Sequence, residues 1–127
     1  MPEFPGPLLA DQPRGNQILA AVIAPAVLGA IAGILVGASE AAYIAISVVA
    51  AVGGVAAGFD HLGAASGAKR GVLGGLLYGA FVLVAHAITG ADAKVELADP
   101  EVIFPIITAI IGALLGVLGG WLRARRA

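Results

Sequence analysis

The sequence predicts an all-α, polytopic membrane protein whose four transmembrane helices form two tandem glycine-zipper hairpins. Composition is the first reason: 60% of the residues are hydrophobic and 12% are charged, whereas a soluble domain carries about 25% charged residues. The second is that the apolar residues form long blocks, and about 20 such residues cross a ~30 Å hydrocarbon core as a helix. The third is that small residues recur every fourth position within each block.

A proline-rich segment precedes the first block. Residues 1–16 hold four of the seven prolines, so we predict a flexible tail there. Residues 17–127 are predicted to form one transmembrane domain. Its helices are expected at about 17–38, 41–59, 71–90 and 102–122.

The first apolar block is long enough for two helices. Glu40 is the only charged residue between Ile18 and Phe59, so we predict a hairpin that turns near Glu40. Ser39 is a suitable N-cap for the second helix. Pro25 is expected to kink the first helix mildly, which a membrane bundle tolerates.

The second half of the chain repeats this plan. A charged loop is predicted at 60–70, followed by the third helix and then by the acidic loop "ADAKVELADPE". Pro105 fits the first turn of the fourth helix, where its missing N–H costs nothing.

The basic residues predict the orientation. In a four-helix topology, six of the seven Lys and Arg residues lie on one side, and Lys94 lies on the other among acidic residues. Positive-inside logic then places both termini in the cytoplasm, with the chain in the cell (inner) membrane. The six residues are Arg14, Lys69, Arg70, Arg123, Arg125 and Arg126.

Each predicted helix carries a ridge of small residues that lets two backbones approach closely. The ridges also indicate an internal repeat, because shifting the second helix by 62 positions, or the first by 46, superposes small residues on the fourth or third. Chance alignment of glycine-rich helices is the alternative. The ridge residues are Gly29, Gly33, Gly37, Ala50, Gly54, Gly58, Gly71, Gly75, Gly79, Gly112, Gly116 and Gly120.

The segment "GGVAAG", a short charged loop and "GAKRGVLGGLLYG" together resemble a recurrent pattern in small four-helix membrane proteins of bacteria and archaea. The resemblance covers the second and third helices and implies architecture only, since those proteins are mostly of unknown function. Rotor-ring proteolipids and small multidrug exporters fit less well. Their functional carboxylate lies within a helix, whereas Glu40 and Asp60 lie at predicted helix ends.

Ionisable residues inside a membrane are functional candidates by default. His86 is the one such residue well inside a predicted span, and the repeat pairs it with Glu40. The pair is therefore the best candidate for a proton- or cation-responsive outer mouth, although a structural role for His86 is the simpler interpretation.

The inner loop carries the remaining candidates. Asp60 and His61 close the second helix, whereas Lys69 and Arg70 open the third. An Asp60–Arg70 ion pair that clasps this loop is the simpler interpretation, and a gate or a site for an anionic partner is the alternative. Asp60 and His61 offer two metal ligands, but no second cluster has ligand spacing.

Nothing in the sequence predicts an enzyme, a cofactor or a nucleic-acid partner, because no nucleophile–base set or basic surface is visible. Two functions remain open. The first is a packing, accessory or scaffold subunit that self-associates or docks on a larger membrane complex, since four ridges exceed what one small bundle needs. The alternative is a small oligomeric channel or a proton- or cation-linked transporter.

Overall fold

The computed structural model describes residues 13–59, 61, 63–95 and 102–126, and the regular structure in these ranges is helical. Four helices follow in order: α1, Arg14–Val36; α2, Glu40–Phe59; α3, Ala64–Thr89; and α4, Ile103–Arg126. Each is long and apolar enough to cross a membrane. Within these ranges this confirms the predicted helical class and the four apolar helices of spanning length. The predicted tail lies outside the described residues up to position 12.

Helix α1 contains a local change of helical type. It begins at Arg14, three residues before the predicted start, directly after Pro13, whose carbonyl accepts a hydrogen bond from the Gln17 N–H at 3.1 Å. A π-helical turn then spans Leu19–Ile23. Pro25 lies two residues after the end of this turn, which fits the rule that helix irregularities occur where a backbone donor is missing.

The turn between α1 and α2 is short and is stabilised by a side chain. Helix α1 ends at Val36, two residues before the predicted end. The Ala42 N–H donates to Ser39 Oγ at 3.2 Å, so Ser39 caps α2 as predicted. Glu40 is the first residue of α2, where its negative charge stabilises the helix by interacting with the positive end of the helix dipole.

The predicted inner loop is shorter in the structure, and this part of the prediction was wrong. Helix α3 begins at Ala64, seven residues before the predicted start, because alanine, lysine and arginine in 64–70 favour helix. Gly63 supplies the preceding turn with φ +97°. Lys69 and Arg70 therefore lie within α3. The helix ends at Thr89, where Gly90 adopts φ +67° as a left-handed cap.

Helix α4 has Pro105 in its first turn, as predicted, and it continues to Arg126. The predicted end at 122 was too early, because leucine, alanine and arginine in 122–126 are strong helix formers. The predicted acidic loop falls partly on 96–101, which lie outside the described residues.

The helices pack in the order α1, α3, α4, α2. The most extensive contact joins α3 to α4, which run antiparallel, and the next joins α1 to α3. Helix α2 lies chiefly against α4, with smaller contacts to α1 and α3. Helices α3 and α4 therefore form the centre of the bundle, and α1 and α2 flank them.

Glycines form the contact between α3 and α4. A Cβ added to Gly67 would lie 2.8 Å from the carbonyl carbon of Gly116, and one added to Gly75 would lie 2.9 Å from Ala109 Cα. Real Cβ atoms do not approach backbone so closely. Gly71 and Gly79 contact α4 in the same way, at Gly112 and at Pro105 with Thr108, so this interface holds backbone against backbone.

The flanking helices also dock through glycines. Gly29 and Gly33 of α1 lie against the Tyr78 and Val82 carbonyl groups of α3. On α2, a Cβ at Gly58 would lie 2.8 Å from Gly116 Cα, whereas Gly54 meets only the side chain of Leu115.

Gly37 departs from the predicted ridge. It lies in the turn after α1, and an added Cβ would lie 2.7 Å from Ala91 Cβ in the segment after α3. In that segment the Lys94 N–H donates to the Val36 carbonyl at 2.7 Å, so the loop satisfies a terminal carbonyl of α1.

Few large side chains are buried. Among the described residues the apolar core consists of Ala32, Val36 and Val82, with Tyr78 and Phe104 packed against it. Most isoleucine, valine and leucine side chains point outward. A bilayer is the solvent that suits such a surface, and close backbone contact replaces a large core.

Candidate functional site

Apart from Lys94, the basic residues of the described ranges lie at one end of the bundle, as the alternation of four helices requires. Arg123 of α4 is 6% exposed and donates from Nη1 to the Phe59 carbonyl at 2.9 Å. Its guanidinium also lies over the Phe59 ring, 5.4 Å from the centroid. Because Phe59 ends α2, Arg123 satisfies a terminal carbonyl and fixes that end of α2 to α4.

Arg70 plays a similar part between α3 and α1. Its side chain is 9% exposed and donates from Nη2 to the Ala20 carbonyl, 50 positions earlier in the chain. Burial of an arginine among apolar helices requires such partners, because an unpaired buried charge is very costly. Arg70 therefore joins the N-terminal third of α1 to α3.

The other predicted residues at this end are less engaged. Lys69 is exposed on α3. His61 Nδ1 lies 3.2 Å from the Ala57 carbonyl, and the Gly63 N–H donates to the Gly120 carbonyl at 3.0 Å, which ties the connection to α4. Asp60 lies outside the described residues, so its ion pair with Arg70 stays a prediction.

At the opposite end the structure does not bring Glu40 and His86 together as an ion pair. Glu40 is exposed in the first turn of α2. His86 is half-buried in the last turn of α3, and its Nδ1 atom is buried without a hydrogen-bond partner. A buried imidazole nitrogen of this kind calls for a functional or structural reason.

Two polar contacts inside the bundle were missed at the level of sequence. Thr108 Oγ1 donates to the Gly75 carbonyl at 2.7 Å across the α3–α4 interface. Ser47 Oγ donates to the Tyr43 carbonyl at 2.8 Å and lies 3.4 Å from Tyr78 Oη. The signal for Thr108 is its position, four residues before Gly112 on the α4 ridge.

Metal coordination finds no support in these ranges. No group of three His, Cys, Asp or Glu side chains is placed to hold a metal ion within 13–59, 61, 63–95 and 102–126.

The fold is that of a multi-pass helical membrane protein, because the described residues contain four apolar helices of spanning length. No family model, curated protein or solved structure matches the chain.

Proposed function

We propose that this chain is a non-enzymatic packing, accessory or scaffold subunit of the cell (inner) membrane. It docks on a larger membrane protein, or on a second copy, through the outward face of α2. The number of glycine ridges is not evidence for this docking, because most of the ridge glycines already lie against another helix of the same chain.

The outward face of α2 is the observation that carries the proposal. Ala45, Gly53 and Ala56 are small and exposed, and they lie with the larger, exposed Val49 on one side of the helix. A Cβ on Gly53 would meet nothing within 4 Å. Small residues are what a second transmembrane helix needs for close approach, whereas a surface meant only for lipid has no such need.

Crosslinking in native membranes tests this docking surface. The chain has no cysteine, so Ala56→Cys introduces one reactive thiol on the proposed face. Ile110→Cys, at an exposed position of α4, is the matched control. We expect a discrete crosslinked species from Ala56→Cys and none from Ile110→Cys.

Adding Gly53→Leu to Ala56→Cys should abolish the crosslinked species, since the leucine fills the approach surface from a position whose Cβ has no neighbour within 4 Å. Equal crosslinking from both cysteine positions, or none from either, would contradict the docking proposal.

The proposed orientation places the basic end and both termini in the cytoplasm. Ala65 and Ala93 are exposed near opposite ends of α3. With Ala65→Cys and Ala93→Cys, a membrane-impermeant thiol reagent added to intact cells should label only the second variant. Labelling of Ala65→Cys alone would reverse the topology.

We further propose that the chain is built from two tandem glycine-zipper hairpins. The docking of Gly29 and Gly33 on α3, and of Gly58 on α4, supports a common packing device. A repeat would also relate α1–α2 to α3–α4, and the second of these contacts is much the more extensive. Divergence of the first hairpin is therefore part of the proposal.

The buried Nδ1 of His86 favours one alternative, a small oligomeric channel or a proton- or cation-linked transporter. Purified protein in liposomes with a pH-sensitive dye tests it. This alternative expects a flux that His86→Gln reduces and that Ile88→Ala, at an 80% exposed position of the same helix end, leaves unchanged. A flux no greater than that of empty liposomes would exclude the channel or transporter and leave the accessory or scaffold role.

A further inference from the structure

The Ala20 carbonyl has lost both of its ordinary backbone donors. In an α-helix it would accept from residue 24, but the Ala24 N–H donates to Leu19 instead, as the π-helical turn requires. In a continued π-helix it would accept from residue 25, but Pro25 has no N–H. An orphan carbonyl in an apolar setting is costly, so this position needs a donor from elsewhere.

Arg70 supplies that donor from the neighbouring helix, through the Nη2 contact described above. Gly74 makes room for it. A Cβ at Gly74 would lie 3.1 Å from Arg70 Nη1 and 3.9 Å from Pro25 Cγ, so guanidinium, proline ring and Gly74 lie side by side. Ala20, Pro25, Arg70 and Gly74 therefore form one cluster at the contact between α1 and α3.

The part of α1 before this arrangement is more exposed than the rest of the helix, where four residues are buried. Within 14–23 no residue is buried, and Leu19 is 57% exposed. The glycine contacts of α1 with α3, at Gly29 and Gly33, all lie further along the helix. The Arg70 bond to the Ala20 carbonyl thus ties to α3 a segment in which no residue is buried.

We propose that the π-helical turn and Pro25 form a hinge in α1, and that Arg70 is the latch that holds residues 14–23 against α3. With the latch engaged, the segment that enters the membrane from the N-terminal side is fixed. With the latch released, the segment pivots at 19–25 while Gly29 and Gly33 keep the remainder of α1 docked.

A double-mutant cycle tests the latch, because Pro25→Ala restores an N–H at residue 25. Ala20 then gains a backbone donor whether α1 stays π-helical there or becomes regular. We expect Arg70→Met to raise the unfolding equilibrium constant in detergent at least roughly tenfold in the native background, as loss of a hydrogen bond from a charged donor does. In the Pro25→Ala background the rise should be roughly threefold or less.

Arg123→Met is the matched control, since Arg123 is also buried and also donates to a carbonyl at this end. Its effect should be the same with proline or alanine at position 25. Where Arg70→Met fails to fold, Arg70→Lys, which keeps the charge but not the planar fork, takes its place in the cycle. Equal effects of the Arg70 substitution in both backgrounds would overturn the proposal.

The hinge has a separate readout in the distance between spin labels at Gly15→Cys and Ala124→Cys, two positions with open surroundings. Arg70→Met, or Arg70→Lys where the first fails to fold, should broaden the distance distribution. The same substitution on Pro25→Ala should broaden it less, and Arg123→Met should not show this dependence on position 25. An unchanged distribution in the Arg70 variant would overturn the hinge.

Discussion

Helices α3 and α2 are both apolar and rich in glycine, yet the bundle uses them in opposite ways. Four glycines of α3, from Gly67 to Gly79, lie against the backbone of α4 over most of the shared length. Helix α2 lies against α4 mainly near its end, around Gly58 and Phe59, and leaves Gly53 in open space.

The difference shows that glycine content alone does not define an interface in this protein. What distinguishes α3 is that every position of its four-residue ridge is a glycine that lies against the backbone of α4. In α2 the glycines at 53 and 54 are adjacent, so they point to different sides of the helix. One meets Leu115 and the other meets nothing within 4 Å.

The largest expected effect separates the two kinds of glycine. Gly75→Leu and Gly116→Leu should each destabilise the protein by roughly 3 kcal/mol, because a side chain there has only backbone to displace. Gly53→Leu makes the same chemical change in open space. It should leave stability unchanged or slightly higher, since leucine favours helix more than glycine does.

Unfolding in detergent measures these effects. Leu76→Ala and Leu118→Ala, which truncate exposed side chains on α3 and α4, should change stability by about 0.5 kcal/mol or less. Similar losses for all of the glycine substitutions would mean that the close contacts of α3 do not determine stability.

A smaller effect is expected where α2 is fixed to α4. Arg123→Met should cost about 1.5–3 kcal/mol, because the terminal Phe59 carbonyl loses a charged donor. Arg125→Met removes a more exposed guanidinium that lies 5.0 Å from the Trp121 ring centroid, and should cost about 0.5–1 kcal/mol. Equal costs would show that the Phe59 contact contributes nothing of its own.

The smallest effect concerns the polar contact inside the α3–α4 interface. Thr108→Val keeps the shape of the side chain and removes its bond to Gly75, which should cost about 0.6 kcal/mol, a typical value between membrane helices. Thr89→Val, which removes a bond to His86 within the same helix at an exposed site, is the control. If the Thr108→Val protein were as stable as the wild type, the Thr108 hydrogen bond would contribute nothing to the α3–α4 interface, and the glycine contacts alone would stabilise it.

The sequence was sufficient for the helices and for the end of the bundle at which basic residues gather, because hydropathy and charge are local properties. It was insufficient for the start of α3, since the charges of 64–70 looked like a loop while their helix propensity is high. It also missed the roles of Arg70 and Arg123. Their acceptors, the carbonyls of Ala20 and Phe59, are backbone atoms distant in sequence, and only the packing of α1 on α3 and of α2 on α4 brings them near.

The packing order has a consequence for biogenesis. Helices α1 and α2 leave the ribosome first, but their principal partners are α3 and α4, which follow them. During synthesis Gly29, Gly33 and Gly58 therefore lack the partners they have in the complete bundle until α3 and α4 are made. The bundle can be completed only after α3 and α4 have been made, because α1 packs on α3 and α2 packs on α4. The helices made last therefore determine where the first two lie.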